Sequence, residues 1–256
     1  MPTYADYLKL DQLLALQAPG TDHDEMLFIV IHQTYELWFK EILHELDYLH
    51  RLLDRDDLPR AQHAMKRVLT ILKVLVAQVD ILETMTPLEF LTFRARLESG
   101  SGFQSAQFRE LEFAVGNKRV KALEQFPPGS PASQRLEARY HAPTVWDWFA
   151  AFLARRGHAV PDEVLRRDVT QPIAPSPAMQ ATLVKIYRSD AALAEFCERL
   201  VDLDEGLQEW RYRHVKMVER TIGTKPGTGG SAGVEYLRTT LLSPIFPDLW
   251  AIRTEF

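Results

Sequence analysis

The sequence lacks the features of a secreted, membrane-spanning or disulfide-stabilised protein. Its 256 residues contain one cysteine, Cys197, which excludes an internal disulfide and a zinc site built on several thiolates. No apolar run reaches the ~18 residues that a transmembrane helix needs. The first residues show no basic stretch followed by an apolar one, so no secretory signal is expected. We therefore expect a cytoplasmic protein with no membrane partner.

Positive charge is scarce as well. The chain has 30 Lys and Arg against 35 Asp and Glu, and its formal net charge is -5. Nucleic-acid-binding proteins present a basic surface, so no nucleic-acid partner is expected. Hydrophobic residues make up 46% of the chain, which is ample for the core of one large domain.

Strand patterns are missing, and helical periodicity dominates. Apolar residues recur every three or four positions over residues 25–54 and 59–85. Thr86 and Glu89 form a capping-box pattern around Pro87, which predicts a third helix start. The fold is predicted to be all-α, a bundle of long helices in a single domain over residues 1–256. Further helices are predicted over residues 104–115, 146–155, 179–187, 191–199, 200–222 and 234–241.

Residues 116–180 are the least regular part of the chain. Two proline-rich stretches, QFPPGSPAS and VTQPIAPSPA, flank a short amphipathic helix around residues 146–155. We interpret this region as a small helical lobe inserted into the bundle.

Two histidines interrupt the apolar stripes of long helices. His32 lies one turn from Phe28 and from Glu36, and His214 lies one turn from Trp210. A core histidine bound to a neighbour is the common explanation of either one alone. A neutral imidazole in an apolar pocket is also a good ligand for iron. Two such histidines on separate helices fit a haem slot better than zinc or non-haem iron, which need three clustered ligands. The pattern does not decide between a core role and a ligand role.

Two other features have a structural and a functional interpretation each. Arg94 follows Phe90 by one turn, and it either extends along the surface to water or binds a carboxylate through both guanidinium nitrogens. The stretch GTKPGTGGSAG, residues 223–233, lacks the pattern of a phosphate loop. It is either a surface loop or a lid in which Thr228 donates a hydrogen bond.

Five motifs in order resemble the tryptophan 2,3-dioxygenase family. They are HDEMLFIVIHQTYELWFK, ILETMTPLEF, SGFQS, WRYRHVKMV and GTGGSAG. The resemblance extends from Tyr4 to the last predicted helix and is weakest over residues 116–180. It implies an enzyme of tryptophan catabolism with ferrous haem b as its cofactor. The implied reaction inserts both atoms of O2 across the indole C2–C3 bond of L-tryptophan and gives N-formyl-L-kynurenine.

The resemblance also implies roles for individual residues. His214 is the proximal ligand of the haem iron, and His32 is the catalytic residue beside the indole N–H. Arg94 binds the substrate carboxylate, and Thr228 binds its ammonium and carboxylate groups. The remaining residues implied at the substrate or haem pocket are Phe28, Phe90, Ser101, Gly102, Tyr4 and Tyr7.

Tyr4 and Tyr7 belong to an N-terminal segment, residues 1–20, that is similar to one exchanged between subunits in the family. The resemblance therefore implies a homotetramer, a dimer of dimers. The sequence departs from the family at Phe90, where many bacterial relatives have tyrosine, and at Ala232, where a serine is usual.

Two other functions remain open at this point. A haem-dependent mono-oxygenase would insert one oxygen atom into a substituted tryptophan and give an oxindole. A haem-binding protein without turnover would keep the same histidine ligand.

Overall fold

The computed structural model describes residues 1–97, 104–225 and 241–256, and this part of the chain contains helices and no β-strand. The predicted all-α class is confirmed. Ser101, Gly102, Thr228, Ala232 and all but the last residue of the helix predicted over 234–241 lie outside these ranges. The α-helices are α1 (Tyr4–Leu8), α2 (Leu10–Leu14), α3 (Glu25–Asp54), α4 (Leu58–Leu82), α5 (Pro87–Arg94), α6 (Ala106–Val115), α7 (Pro131–His141), α8 (Val145–Arg155), α9 (Asp162–Leu165), α10 (Pro177–Ser189), α11 (Ala191–Ile222) and α12 (Pro247–Ala251).

Three long helices form the centre of the bundle, with α4 packed along both α3 and α11. Their apolar stripes supply much of the main core, where residues such as Leu46, Met65 and Leu200 are fully buried. Gly206 lies where α11 approaches α4 most closely, because a Cβ there would sit 2.7 Å from Cδ2 of Leu72. In none of the described helices does an apolar stretch have the length needed to cross a membrane.

The helix starts follow local sequence signals in most cases. Thr86 and Glu89 form the predicted capping box, with the Glu89 carboxylate accepting from the Thr86 N–H at 2.7 Å. Asp24 precedes α3 but its side chain makes no capping hydrogen bond. The predicted break between residues 199 and 200 is wrong, because α11 is one helix of 32 residues. Neither glycine nor proline occurs near that position, so nothing in the backbone ends the helix there.

The proline-rich region contributes two separate packing units. Helix α7 packs on α6 through a small apolar cluster that includes Phe113, Leu136 and Tyr140. Helix α8 packs on α3 instead, and its Trp146 and Phe149 belong to the main core. The division of the chain into a bundle and an inserted lobe stays a prediction.

A buried carboxylate fastens the C-terminal residues to the middle of α11. Oδ2 of Asp204 accepts hydrogen bonds from the N–H of Ile245 at 2.7 Å, from the N–H of Phe246 at 3.0 Å and from Nε1 of Trp250 at 3.0 Å. Its Oδ1 accepts from Gln208 at 2.9 Å. Helix α11 is therefore held against α12 about three turns before His214.

Candidate functional site

Helices α3 and α11 both pack on α4, and a cluster of phenylalanines lies between the start of α3, helix α5 and the end of α11. Phe28 of α3 lies 6.0 Å from Phe90 and 5.5 Å from Phe93 of α5, measured between ring centroids. Ile222, the last residue of α11, packs against the same cluster. The N-terminal end of α3 therefore meets the C-terminal end of α11.

A second cluster of aromatic rings surrounds Trp210 of α11. Its ring centroid lies 4.7 Å from that of Phe108, 6.4 Å from Phe39 and 6.3 Å from Tyr35. The Tyr35 hydroxyl donates to the carbonyl oxygen of Leu75 at 2.7 Å, which fixes this cluster to α4. Phe28 lies near Ile222, and Phe39, further along α3, lies near Trp210, which is earlier in α11. Helices α3 and α11 therefore run antiparallel here.

His32 and His214 lie between the two clusters, in a space that we call the histidine cleft and define by Phe28, His32, Trp210 and His214. Both histidines are partly accessible, yet burial is the largest cause of a lowered pKa in each. A side chain that is deep in the protein and still accessible lines an interior space. The charge of His32 contributes to the lowered pKa of His214, so the two imidazoles are close enough to interact electrostatically.

The tautomer of His32 follows from its hydrogen bond. Its Nδ1 lies 2.7 Å from the carbonyl oxygen of Phe28 one turn earlier. A carbonyl oxygen only accepts, so Nδ1 carries the proton and Nε2 keeps its lone pair. Burial lowers the pKa of His32, although the nearby Glu36 carboxylate acts in the opposite direction. The ring is therefore neutral at pH 7 and presents a hydrogen-bond acceptor. Phe28 lies against it, with centroids 4.1 Å apart.

His214 is also neutral, because burial lowers its pKa to about 4. Within the described ranges, no hydrogen bond reaches either of its ring nitrogens. The ring instead stacks on the indole of Trp210, with centroids 5.2 Å apart and planes inclined by 10°. An unprotonated ring nitrogen at this position is free to bind a metal.

Two arginines near the C-terminal end of α5 have different environments. Arg94, the last residue of α5, follows Phe90 by one turn and is partly buried, so it lies on the same side of the helix as Phe90. Arg96 lies in the short 3-10 turn Ala95–Leu97 that follows α5. It pairs with Glu25 at 2.9 Å and with Asp22.

Glu36 is held by a residue that the sequence did not single out. Nε2 of Gln107 donates to the Glu36 carbonyl at 2.9 Å and to its carboxylate at 2.8 Å. This pair of bonds joins the start of α6 to α3 one turn after His32. No local pattern marks Gln107, because the contact spans 71 residues.

Trp210 belongs to the apolar stripe of α11, and the sequence pattern assigns it no role in the site. Its position four residues before His214 is the one signal in the sequence of a contact between the two rings, because residues i and i+4 are neighbours on a helix. Its Nε1 is buried and makes no hydrogen bond in the described structure, although it is near enough to Tyr35 to influence the pKa of that phenol.

Tyr4 and Tyr7 are placed away from the histidines. Each is 76% exposed, and α1 buries none of its residues. Ser101, Gly102 and Thr228 lie outside the described ranges. The structure therefore places Phe28 against His32 and Phe90, with His214 close enough to His32 to interact electrostatically, and leaves the two tyrosines at the surface.

The geometry defines a class of helical protein with an aromatic-walled central cleft, in which one neutral imidazole projects from each of two facing helices. Comparison with known proteins identifies the family. The model of the tryptophan 2,3-dioxygenase family matches residues 1–126 and 176–256, and the unmatched stretch falls within the proline-rich region. The chain belongs to the tryptophan 2,3-dioxygenase family.

Individual relatives match over almost the whole chain. A tryptophan 2,3-dioxygenase of Herpetosiphon aurantiacus is 59% identical over 256 residues, which cover 99% of this chain and 98% of the relative. One from Anaeromyxobacter sp. is 56% identical, with 98% and 95% covered. One from Bacillus cereus is 43% identical, with 99% and 92% covered.

The residues of the histidine cleft fit a haem group. His214 offers one neutral nitrogen, which is the donor that a haem iron takes from a protein on its proximal side. The rings of Phe28, Phe90 and Trp210 supply the apolar aromatic surface that a flat macrocycle packs against. The buried N–H of Trp210 has no acceptor in the described structure. In the described part of the chain, no three His, Cys, Asp or Glu side chains are grouped so as to hold a metal ion.

Proposed function

We propose that this chain catalyses the dioxygenation of L-tryptophan to N-formyl-L-kynurenine, with haem b bound in the histidine cleft. Family membership supports the reaction, and one structural observation supports the site. That observation is the pairing of two neutral imidazoles, His32 and His214, across a cleft with aromatic walls. One imidazole is available to hold iron, and the other to accept a hydrogen bond from substrate.

His214 is the proposed proximal ligand of the haem iron. The haem, when bound, supplies the activation of O2, which is chemistry that no side chain provides. The neutral state of His214 at pH 7 supports this role, because a protonated imidazole cannot bind a metal. Ser101 and Gly102 are proposed to border the haem, as the family resemblance implies.

Two residues are proposed to orient the substrate. Nε2 of His32 accepts a hydrogen bond from the indole N–H, and Arg94 binds the carboxylate with two parallel hydrogen bonds. Fixing both ends of the amino acid sets the position of the C2–C3 bond, which is how a binding site accelerates a reaction between two bound molecules. Phe28 and Phe90 wall the indole site, and Thr228 is the proposed partner of the ammonium and carboxylate groups.

The reaction needs no external electron donor. One molecule of L-tryptophan and one of O2 give one molecule of N-formyl-L-kynurenine, so both oxygen atoms and all electrons are accounted for in the product. His32 is not required to remove the indole proton, because a neutral imidazole is a weak base and the indole N–H is a very weak acid. Its proposed task is orientation.

Assembly into a homotetramer is also proposed, with residues 1–20 exchanged between subunits. Exposed apolar side chains support an interface, because a monomer rarely leaves such side chains contiguous. Met26, Val30 and Leu37 lie on one exposed face of α3, and Leu88 and Leu91 are exposed on α5. The proposed compartment is the cytoplasm, where the buried free thiol of Cys197 is compatible with a reducing environment.

Two measurements test the function. Ferrous protein is given L-tryptophan and 18O2, and the product is examined by mass spectrometry. Two labelled oxygen atoms are expected, one would indicate oxindole formation, and no product would indicate a binding protein. For the site, His214→Ala is purified beside His50→Ala, a matched control in which the histidine also stacks on a tryptophan. Loss of the haem absorption band is expected only in His214→Ala.

A further inference from the structure

The contact between Trp210 and His214 is the observation from which a further inference starts. A metal-binding histidine is normally oriented by a hydrogen bond from its second ring nitrogen to a carboxylate or carbonyl group. His214 has no such bond within the described ranges. Its ring is instead parallel to the indole of Trp210, with a plane angle of 10° and a centroid distance of 5.2 Å.

Trp210 is itself fixed. Phe108 and Phe39 contact its ring at 4.7 Å and 6.4 Å, and Tyr35 meets it edge-on at 6.3 Å. The Tyr35 hydroxyl is bound to the carbonyl oxygen of Leu75 at 2.7 Å. The indole is thus held by rings of α3 and α6, and Tyr35 is in turn fixed to α4, so rotation of the indole would disturb its contacts with three rings.

We propose that Trp210 is a positioning residue that sets the plane of the His214 imidazole by stacking, in place of the usual hydrogen bond to its second nitrogen. The inference rests on the proposed function, since it takes His214 as the iron ligand. Stacking restricts rotation of the imidazole about the bond that its nitrogen forms to iron. The orientation of the ligand ring is therefore set before the haem enters, and the iron–nitrogen bond forms without ordering the side chain.

The experiment distinguishes the effect of losing the aromatic ring at position 210 from the effect of losing side-chain volume there. Trp210→Leu removes the stacking partner, Trp210→Phe keeps an aromatic ring, and Trp210→Met provides a second non-aromatic side chain that fills irregular space with little strain. Trp148→Leu is the matched control, because Trp148 also stacks on a histidine, His50, with centroids 4.5 Å apart and planes at 11°. Each protein is loaded with haem and reduced.

Two readouts apart from activity are measured. The iron–histidine stretching band in the resonance Raman spectrum reports the orientation and strength of the bond, and transfer of haem to excess apomyoglobin reports its release. In Trp210→Leu and Trp210→Met the band is expected to shift and broaden, and haem release to become about 2- to 10-fold faster, the range set by one aromatic pair. Trp210→Phe is expected to restore most of the wild-type band, and Trp148→Leu to match wild type.

The outcomes separate the inference from the proposed function. Wild-type protein that takes up no haem would remove the proposed function and this inference with it. Wild-type protein with a normal iron–histidine band, together with the same band in the folded non-aromatic variant, would overturn the inference alone. Equal shifts in Trp210→Leu and Trp148→Leu would also overturn it, because they would reflect general loosening of the core.

Discussion

The carbonyl oxygen of Phe28 lies 2.7 Å from Nδ1 of His32, and this contact decides which ring nitrogen of His32 faces the cleft. This hydrogen bond gives the His32 ring one orientation and one tautomer, and it leaves Nε2 free to accept a hydrogen bond. Burial keeps the ring neutral by lowering its pKa. His32 is therefore suited to hold an N–H group and poorly suited to take up a proton.

His32→Ala is expected to reduce kcat/KM for L-tryptophan about 2- to 10-fold, the value of one neutral hydrogen bond, and to leave turnover intact. With 1-methyltryptophan, which has no indole N–H, the difference between variant and wild type should shrink. Initial rates of product formation measure both. A loss of several orders of magnitude would contradict an orienting role and indicate an essential base.

The pH dependence follows from the same ring. The pKa of His32 in the folded protein is below its ordinary value, so the neutral acceptor is present at neutral pH and is lost only as the pH falls through the lowered pKa. Wild-type kcat/KM is expected to be constant from pH 6.5 to 8 and to decline below that range. His32→Ala should lack this decline, and rate profiles of the two proteins over pH 5–8 make the comparison.

Arg94→Leu is expected to raise KM for L-tryptophan about 10- to 100-fold, because charge-assisted hydrogen bonds to a carboxylate contribute roughly 1.5–3 kcal/mol. Tryptamine has no carboxylate, so its weak turnover or binding should change little. Arg96→Leu is the matched control, since this arginine binds Asp22 and Glu25. A normal KM in Arg94→Leu, or an equal rise in Arg96→Leu, would remove Arg94 from the site.

Removal of residues 1–16 is expected to shift the assembly from a tetramer to smaller species and to raise KM. The cut is placed there because Gln17 is tied to α3 through Gln33 at 2.6 Å, whereas α1 and α2 bury no residue. Analytical ultracentrifugation and steady-state kinetics test this. A double variant, Tyr4→Ala with Tyr7→Ala, separates assembly from substrate binding. An intact tetramer with unchanged KM after truncation would exclude segment exchange.

At pH 8 the Asp248→Asn variant is expected to be at least as stable to urea unfolding as the wild-type protein. Oδ1 of Asp248 accepts from the Ser176 N–H and from Gln180, each at 2.8 Å, while the buried Oδ2 has no partner. Burial raises the pKa of this carboxyl group, so its contribution to stability is complete at low pH and is lost as the pH rises through the raised pKa.

The asparagine does not ionise, so its advantage over aspartate should grow with pH, by about 1–3 kcal/mol at most. Urea unfolding of both proteins at pH 5.5 and pH 8 measures the difference. A variant that is equally destabilised at both values would show that the negative charge is needed in the folded state.

Most helices could be predicted because their signals are local. The capping box at Thr86 and the periodicity of residues 25–54 depend on neighbours within a few positions, and both predicted helices are found. The predicted break in α11 is wrong because residues on both sides of it belong to one helix. That helix packs on α4 and on α10, and these contacts are not encoded in the spacing of its own residues.

The candidate site could be predicted only in part for a related reason. Helical spacing indicates that His32 shares a face with Phe28, but it does not indicate which groups lie opposite. The rings around Trp210 come from two other helices, α3 and α6, and the Gln107–Glu36 contact joins residues far apart in the chain. Such tertiary contacts depend on how helices pack, so they can be identified only in the three-dimensional structure.

The attachment of the C-terminal residues to Asp204 has a consequence for biosynthesis. Until residues 245–250 have emerged from the ribosome, this carboxylate lacks the three donors that compensate for its removal from water. The helix that carries His214 therefore reaches its final packing only after residues 245–250 have been synthesised. A chain interrupted before residue 245 would leave this carboxylate without these three donors.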